Sequence, residues 1–145
     1  VEYSDYYQDA LAEPMKWFRM DADFMRDKKV RGLAVLGGWA AIGRYVALIA
    51  LLAEADGHTY DLSDDHGWRF LCADMSCGGE AMGEDELREF VQTLYDLKLI
   101  DREMWDESRK VAMNRLMREV ENMAKDVARG RLSAERARAG KKGQK

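Results

Sequence analysis

The sequence predicts a mostly α protein, on three observations. Its 145 residues include one proline, Pro14, so nothing beyond that point interrupts long helices. Apolar side chains recur at three- and four-residue intervals in successive segments, as helices with one buried stripe require. Beyond residue 20, the apolar–polar alternation of strands is confined to short stretches near 58–62 and 99–105.

Residues 1–16 read as an N-terminal arm, with Tyr3, Tyr6 and Tyr7 set among acids without a clear period. Asp21 or Asp23 can cap a helix over about 24–36, with Phe24, Val30 and Leu33 turned inward and Gly37-Gly38 ending it. The next helix, about 39–55, is apolar nearly all round and is expected at the centre of the core. His58 to Leu62 alternates as a short strand, and Ser63 or Asp64 caps a helix over 64–75 carrying Trp68, Leu71, Cys72 and Met75. A glycine-rich loop over 76–83 leads to a helix at 84–97 with Leu87, Phe90, Val91 and Leu94 on one face. Leu99-Ile100-Asp101 and Glu103-Met104-Trp105 suggest a minimal hairpin. A long helix then begins near 108, with Met113, Leu116, Val120, Met123 and Val127 in one 3,4,3,4 stripe.

From 39 to 105 the order is therefore helix, strand, helix, helix, strand, strand, which is that of a winged helix, a helix-turn-helix with a minimal β wing. The domains expected are the arm at 1–16, a winged-helix domain with its terminal helix at 17–128, and a basic flexible tail at 129–145. The Met113 to Val127 stripe suits either docking on the chain's own core or a homo-oligomer seam. Its methionines, which adapt to interfaces, favour the seam.

Charge divides the chain. The net charge of −4 conceals eight basic and two acidic side chains in residues 125–145, a surplus of +6. The remaining 124 residues carry −10. Such asymmetry points to a polyanion as the tail's partner; a solvated end that aids solubility is the plain alternative. A second basic cluster, Arg26, Lys28, Lys29 and Arg31, sits near a helix start, where the dipole disfavours cations. These four, with Arg129, Arg131, Arg136, Arg138, Lys141 and Lys142, are the candidate DNA-binding residues, expected to grip the backbone without reading bases. The second helix of the helix-turn-helix, 84–97, offers Asp85, Glu89, Gln92 and Asp96 outward with Arg88 alone favourable, so phosphates would be repelled there.

Other chemistry is weakly represented. His66, Cys72 and Cys77 lack a fourth metal ligand, and Cys72 falls on an apolar helix face. No nucleophile elbow or phosphate loop accompanies His58, His66, Gly37-Gly38 or Gly78-Gly79. Asp64-Asp65 and Glu84-Asp85-Glu86 stand at helix starts, where the dipole accounts for them. No catalytic residue, cofactor or metal is expected. No apolar run reaches the ~18 residues of a membrane span, and two cysteines make no disulfide framework, so a reducing cytoplasm is the expected setting.

Several stretches resemble a known family. Trp17-Phe18, Asp21-x-Asp23-Phe24, Asp27-x-Lys29-Val30-x-x-Leu33, Gly43-Arg44-Tyr45-Val46-Ala47-Leu48-Ile49 and Leu97-Lys98-Leu99-Ile100-Asp101 are similar to phage and mobile-element proteins related to the N-terminal domain of DnaD-type replication initiators. Ser133-x-x-Arg136-x-x-x-Gly140-Lys141 is similar to their tails. The resemblance spans about 17–141 and rests mainly on apolar and glycine positions. It implies a winged helix, self-association, and a part in phage or plasmid DNA replication, with a replication or helicase-loading protein as a possible partner. It implies no catalytic residue.

Overall fold

A computed structural model describes residues 2–143. The elements follow in the order α1 (Tyr3–Ala12), α2 (Lys28–Glu54), β1 (Tyr60–Asp61), α3 (Asp65–Met75), α4 (Glu84–Asp96), α5 (Arg102–Ser108), β2 (Lys110–Val111) and α6 (Asn114–Gly143). The fold is mostly α with a minimal wing, as the sequence predicts.

Asp27, rather than Asp21 or Asp23, caps α2: its carboxylate accepts from the Lys29 N–H at 2.8 Å. Phe24–Arg26 form a separate 3-10 turn before it. The expected break at Gly37-Gly38 is present as a single residue, Gly38, at φ 63° and ψ −155°, after which the helix resumes at once. That backbone conformation is essentially restricted to glycine. Beyond the break, Tyr45, Leu48, Ile49 and Leu52 enter the core with Leu71, Leu87, Leu94, Ile100 and Leu116. Each buried leucine or isoleucine contributes roughly 1.5–3 kcal/mol of transfer free energy.

The helix over 39–55 was expected to be covered on all sides, and it is not. Trp39, Ala40, Gly43, Ala47 and Ala50 are exposed on the face turned away from the core. By length and composition α2 is also apolar enough to cross a membrane. Its inner face nevertheless forms the middle of this core.

Asp64 caps α3, accepting from the Gly67 N–H at 2.8 Å. α4 buries Leu87, Phe90, Val91 and Leu94 as its spacing requires. The wing differs from the expected hairpin. Glu103, Met104 and Trp105 lie in α5, because Asp101 caps that helix at the Met104 N–H (3.0 Å) and Arg109 closes it in the left-handed region at φ 54°. Trp105 packs edge-on against Trp68 at 6.0 Å between ring centroids. The returning strand is β2, antiparallel to β1, with Tyr60 opposite Val111 and Asp61 opposite Lys110. On its other side Ile100 pairs with Met113, so 110–113 is the middle segment of the wing. Met113 thus makes a β-bridge, and the terminal helix starts one position later.

α6 is anchored from its start as far as Glu135. Near its start Leu116 and Val120 are buried in the core, and further along Ala124 and Ala128 are buried too. The segment read as an arm forms α1, which packs along α6. Glu2 and Asp5 box its N-terminus, with the Glu2 N–H donating to Asp5 at 3.0 Å. The Tyr6 hydroxyl donates to Glu135 at 2.9 Å, and Arg131 pairs with Glu13 at 2.9 Å. Instead of a separate unstructured tail from 129, the helix continues through Gly143.

Candidate nucleic-acid interface

The first basic cluster lies where α2 begins. Arg26, Lys28, Lys29 and Arg31 are all exposed. Asp27, the acid among them, is held elsewhere: it caps α2 and lies 3.5 Å from Arg115 on α6. Arg115 also reaches Asp21 at 3.6 Å, and its side chain is only 13% exposed. Lys29 Nζ donates to the Lys98 carbonyl at 3.3 Å. Arg26, Lys28 and Arg31 have no ion-pair partner among the described residues. The cations therefore face solvent while their neighbouring carboxylate is neutralised from behind.

α6 divides its cations between two faces. Arg131 points at α1, where its hydrogen bond to Glu13 holds that carboxyl below the usual carboxylate range. Arg138 is exposed and close enough to oppose the rise in the Tyr6 pKa that the Glu135 hydrogen bond causes. Arg118, Lys125, Arg129 and Arg136 are all exposed and follow one another at intervals of seven, four and seven residues, the last of them bordering Glu2, Tyr3 and Ser4 at the start of α1. At 100° per residue they fall within about 40° of one line, some 27 Å long. Arg129 approaches Asp126 at 3.9 Å, a pair exposed on both sides and hence worth little. Lys141 is exposed, and the side chain of Lys142 lies outside the described part of the structure.

The sequence reading groups Arg115 and Arg118 of the terminal helix with the basic segment from Lys125 as one surface, but does not draw the seven-four-seven line through Arg118, Lys125, Arg129 and Arg136. It also set Arg109 and Lys110 on the terminal helix. They belong to the wing, Arg109 over the Trp105 ring at 5.2 Å and Lys110 in β2.

α4 presents acid outward, as expected. Its one arginine, Arg88, is engaged by Glu84 at 2.9 Å and Asp65 at 3.7 Å, and lies 4.3 Å over the Trp68 ring. Arg44 of α2 pairs with Glu86 at 3.0 Å. No free cation remains on the helix that reads grooves in other helix-turn-helix proteins.

The oligomer seam expected from Met113, Leu116, Val120, Met123 and Val127 is corrected by their burial within one chain. Met113, Leu116 and Val120 are 2% exposed or less. Met123 and Val127 line a cleft with Ala10, Pro14, Met15 and Trp17 of the same chain. The stripe and the segment before it have the same chain as partner.

The residues weighed for catalysis or metal are dispersed. His66 and Cys77 are exposed, whereas Cys72 packs against the core and burial pushes its thiol up, away from reactivity. His58 is fully buried in the turn before β1, its Nδ1 2.9 Å from the Leu52 carbonyl oxygen. Among the described residues no three His, Cys, Asp or Glu side chains gather as a metal site.

No curated protein and no solved structure shows significant similarity to the chain. A family model described as Lin1244/Lin1753-like, N-terminal, matches residues 17–114, from the aromatic pair before α2 to the first residue of α6. That span contains the winged helix and covers more than half of the sequence, so the chain belongs to the Lin1244/Lin1753-like N-terminal family.

Proposed function

We propose that this is a non-enzymatic, self-associating DNA-associated protein of phage or plasmid-type replication initiation, acting in the cytoplasm. It holds nucleic acid by the phosphate backbone through the start of α2 and the outer face of α6. One observation supports the reading most: a chain of net charge −4 exposes Arg118, Lys125, Arg129 and Arg136 in line, with Arg26, Lys28 and Arg31 unpaired. Such an arrangement suits a polyanion, and an acid-lined α4 rules against base reading by that helix. The replication role draws on the resemblance of the matched stretches and the Ser133 to Lys141 segment to DnaD-type initiators, whose partners would include helicase-loading proteins. Removing residues 129–145 is expected to weaken duplex and single-stranded DNA binding, read by anisotropy at two salt concentrations. Unchanged binding would exclude the C-terminal segment.

A second reading has its own support. Leu33, Leu36 and Phe90 floor a groove of about 300 Å³ edged by Glu86 and Glu89. An apolar floor with an acidic edge suits a basic, apolar-anchored helix of another protein. On that reading the winged helix is a scaffold or regulator without DNA contact, and full retention of partner binding with no DNA affinity would favour it.

A further inference from the structure

α1 is acidic, and the part of α6 on which it lies is basic. The first Lys or Arg of the chain is Lys16, and Glu2, Asp5, Asp9 and Glu13 precede it at intervals of three, four and four residues. At 100° per residue these four carboxylates fall within about 80° of arc, one line along α1. That line faces α6. Glu13 meets Arg131 at 2.9 Å, Asp9 adds its charge at the same guanidinium, and Glu2 borders Arg136. From Val127 to Gly143 the one acid of α6 is Glu135, and the Tyr6 hydroxyl occupies it. Arg131 and Arg138 are seven residues apart, hence within about 20° of each other around the helix, and share the side that α1 covers.

We propose that α1 is an acidic guard over α6: it screens Arg131 and Arg138, and the phosphates of a nucleic acid displace it to reach them. The proposal deepens the DNA contact of the proposed function and rests on it. α1 fits the part because it is held lightly. None of its ten residues is buried, and Leu11 alone of them packs against the core. Its main contacts are with α6 and the turn at Asp56–His58. The Glu13 and Arg131 side chains are 48% and 39% exposed, so salt and water both weaken the pair.

Charge density decides the competition. The line on α1 offers four carboxylates over some 16 Å of helix, whereas duplex DNA carries one phosphate charge per about 1.7 Å of its axis. DNA is the denser anion, and it binds the form with α1 displaced better than the form with α1 seated. A ligand with that preference shifts the chain toward release. The outer cations Arg118, Lys125 and Arg129 stay open in both forms and supply the first contact; Arg131 and Arg138 add to it once α1 has moved.

Amide hydrogen exchange of the full chain, alone and with a short duplex DNA or inorganic polyphosphate, reads the position of α1 directly. Either polyanion is expected to speed exchange over residues 3–12. In DNA titrations, Asp9→Asn with Glu13→Gln is expected to tighten binding about threefold or more and, at about 0.9 per phosphate contact, to steepen the salt slope by up to about 1.8. Adding Arg131→Gln and Arg138→Gln should abolish that gain. Glu103→Gln with Glu107→Gln, exposed on α5, makes the same change in net charge and is the control. DNA bound while exchange over 3–12 is unchanged or slowed overturns the proposal, as does a gain that the α5 control matches or that survives without Arg131 and Arg138. The two claims separate in the same samples. DNA binding with α1 still seated sinks only the guard, and release of α1 by polyphosphate without DNA affinity in any variant sinks only the DNA contact.

Discussion

Replacing Arg115 by alanine tests how the basic start of α2 is held. The guanidinium links the first turn of α6 to Asp27 at 3.5 Å and Asp21 at 3.6 Å. Arg115 is 13% exposed, Asp27 34% and Asp21 68%, so the cluster is neither a surface pair nor a fully buried one. Exposed pairs contribute about 0–1 kcal/mol, and breaking a fully buried pair costs about 3–5 kcal/mol. The intermediate burial places the cost of Arg115→Ala at about 1–2 kcal/mol, mostly through Asp27, since Asp21 keeps its water. For a chain of this size that lowers Tm by roughly 2–8 °C. Thermal unfolding followed by circular dichroism reads it, and a cycle with Asp27→Asn isolates the pair. Asparagine retains the cap at the Lys29 N–H but not the charge. The two substitutions are expected to be non-additive by at least about 0.5 kcal/mol. Strict additivity, or a Tm change within 1 °C for Arg115→Ala, would refute the claim that Arg115 neutralises Asp27 behind the cations.

Two further outcomes follow from particular sites. Gly38→Ala forces a Cβ onto φ 63°, ψ −155° and is expected to cost about 1–3 kcal/mol in thermal unfolding; an unchanged Tm would mean that the α2 break is absent. Burial, reinforced by the Asp74 carboxylate that accepts its hydroxyl at 3.2 Å, pushes Tyr60 up to about 12. The folded state then keeps a proton that the unfolded chain releases near pH 10. Its stabilising contribution is therefore whole below pH 10 and lost as pH rises through 12. Tyr60→Phe should flatten stability over that window and remove one late-titrating group from the tyrosinate absorbance titration; the absence of both changes would place Tyr60 in water.

The helices that bury one stripe were legible because the period alone fixes the inner face. α3 and α4 carry Trp68, Leu71, Leu87 and Leu94 inward as read. α1 was not legible, since it has no continuous apolar stripe and is joined to α6 by Tyr6–Glu135 and Glu13–Arg131, polar contacts more than a hundred residues apart. α5 was misread as a strand because Met104-Trp105 is apolar in either geometry; the Asp101 cap decided it. The Met113 to Val127 stripe was correctly apolar, but periodicity does not say whose surface covers it. α2 shows the converse, with an apolar circumference of which the chain covers only half. The basic cluster at 26–31 was visible as composition, whereas the outward line on α6 depended on which face α1 occupies.

The central claim is that the exposed cations of α2 and α6 hold DNA by its phosphates. Measuring the salt dependence of duplex DNA affinity for the natural chain and for a variant with Arg118, Lys125, Arg129 and Arg136 all changed to glutamine tests it most directly. At about 0.9 per phosphate contact, the account predicts that log affinity falls steeply with log salt and that the variant's slope is shallower by up to about 3.6. A slope near zero for the natural chain, or equal slopes for both proteins, would contradict it.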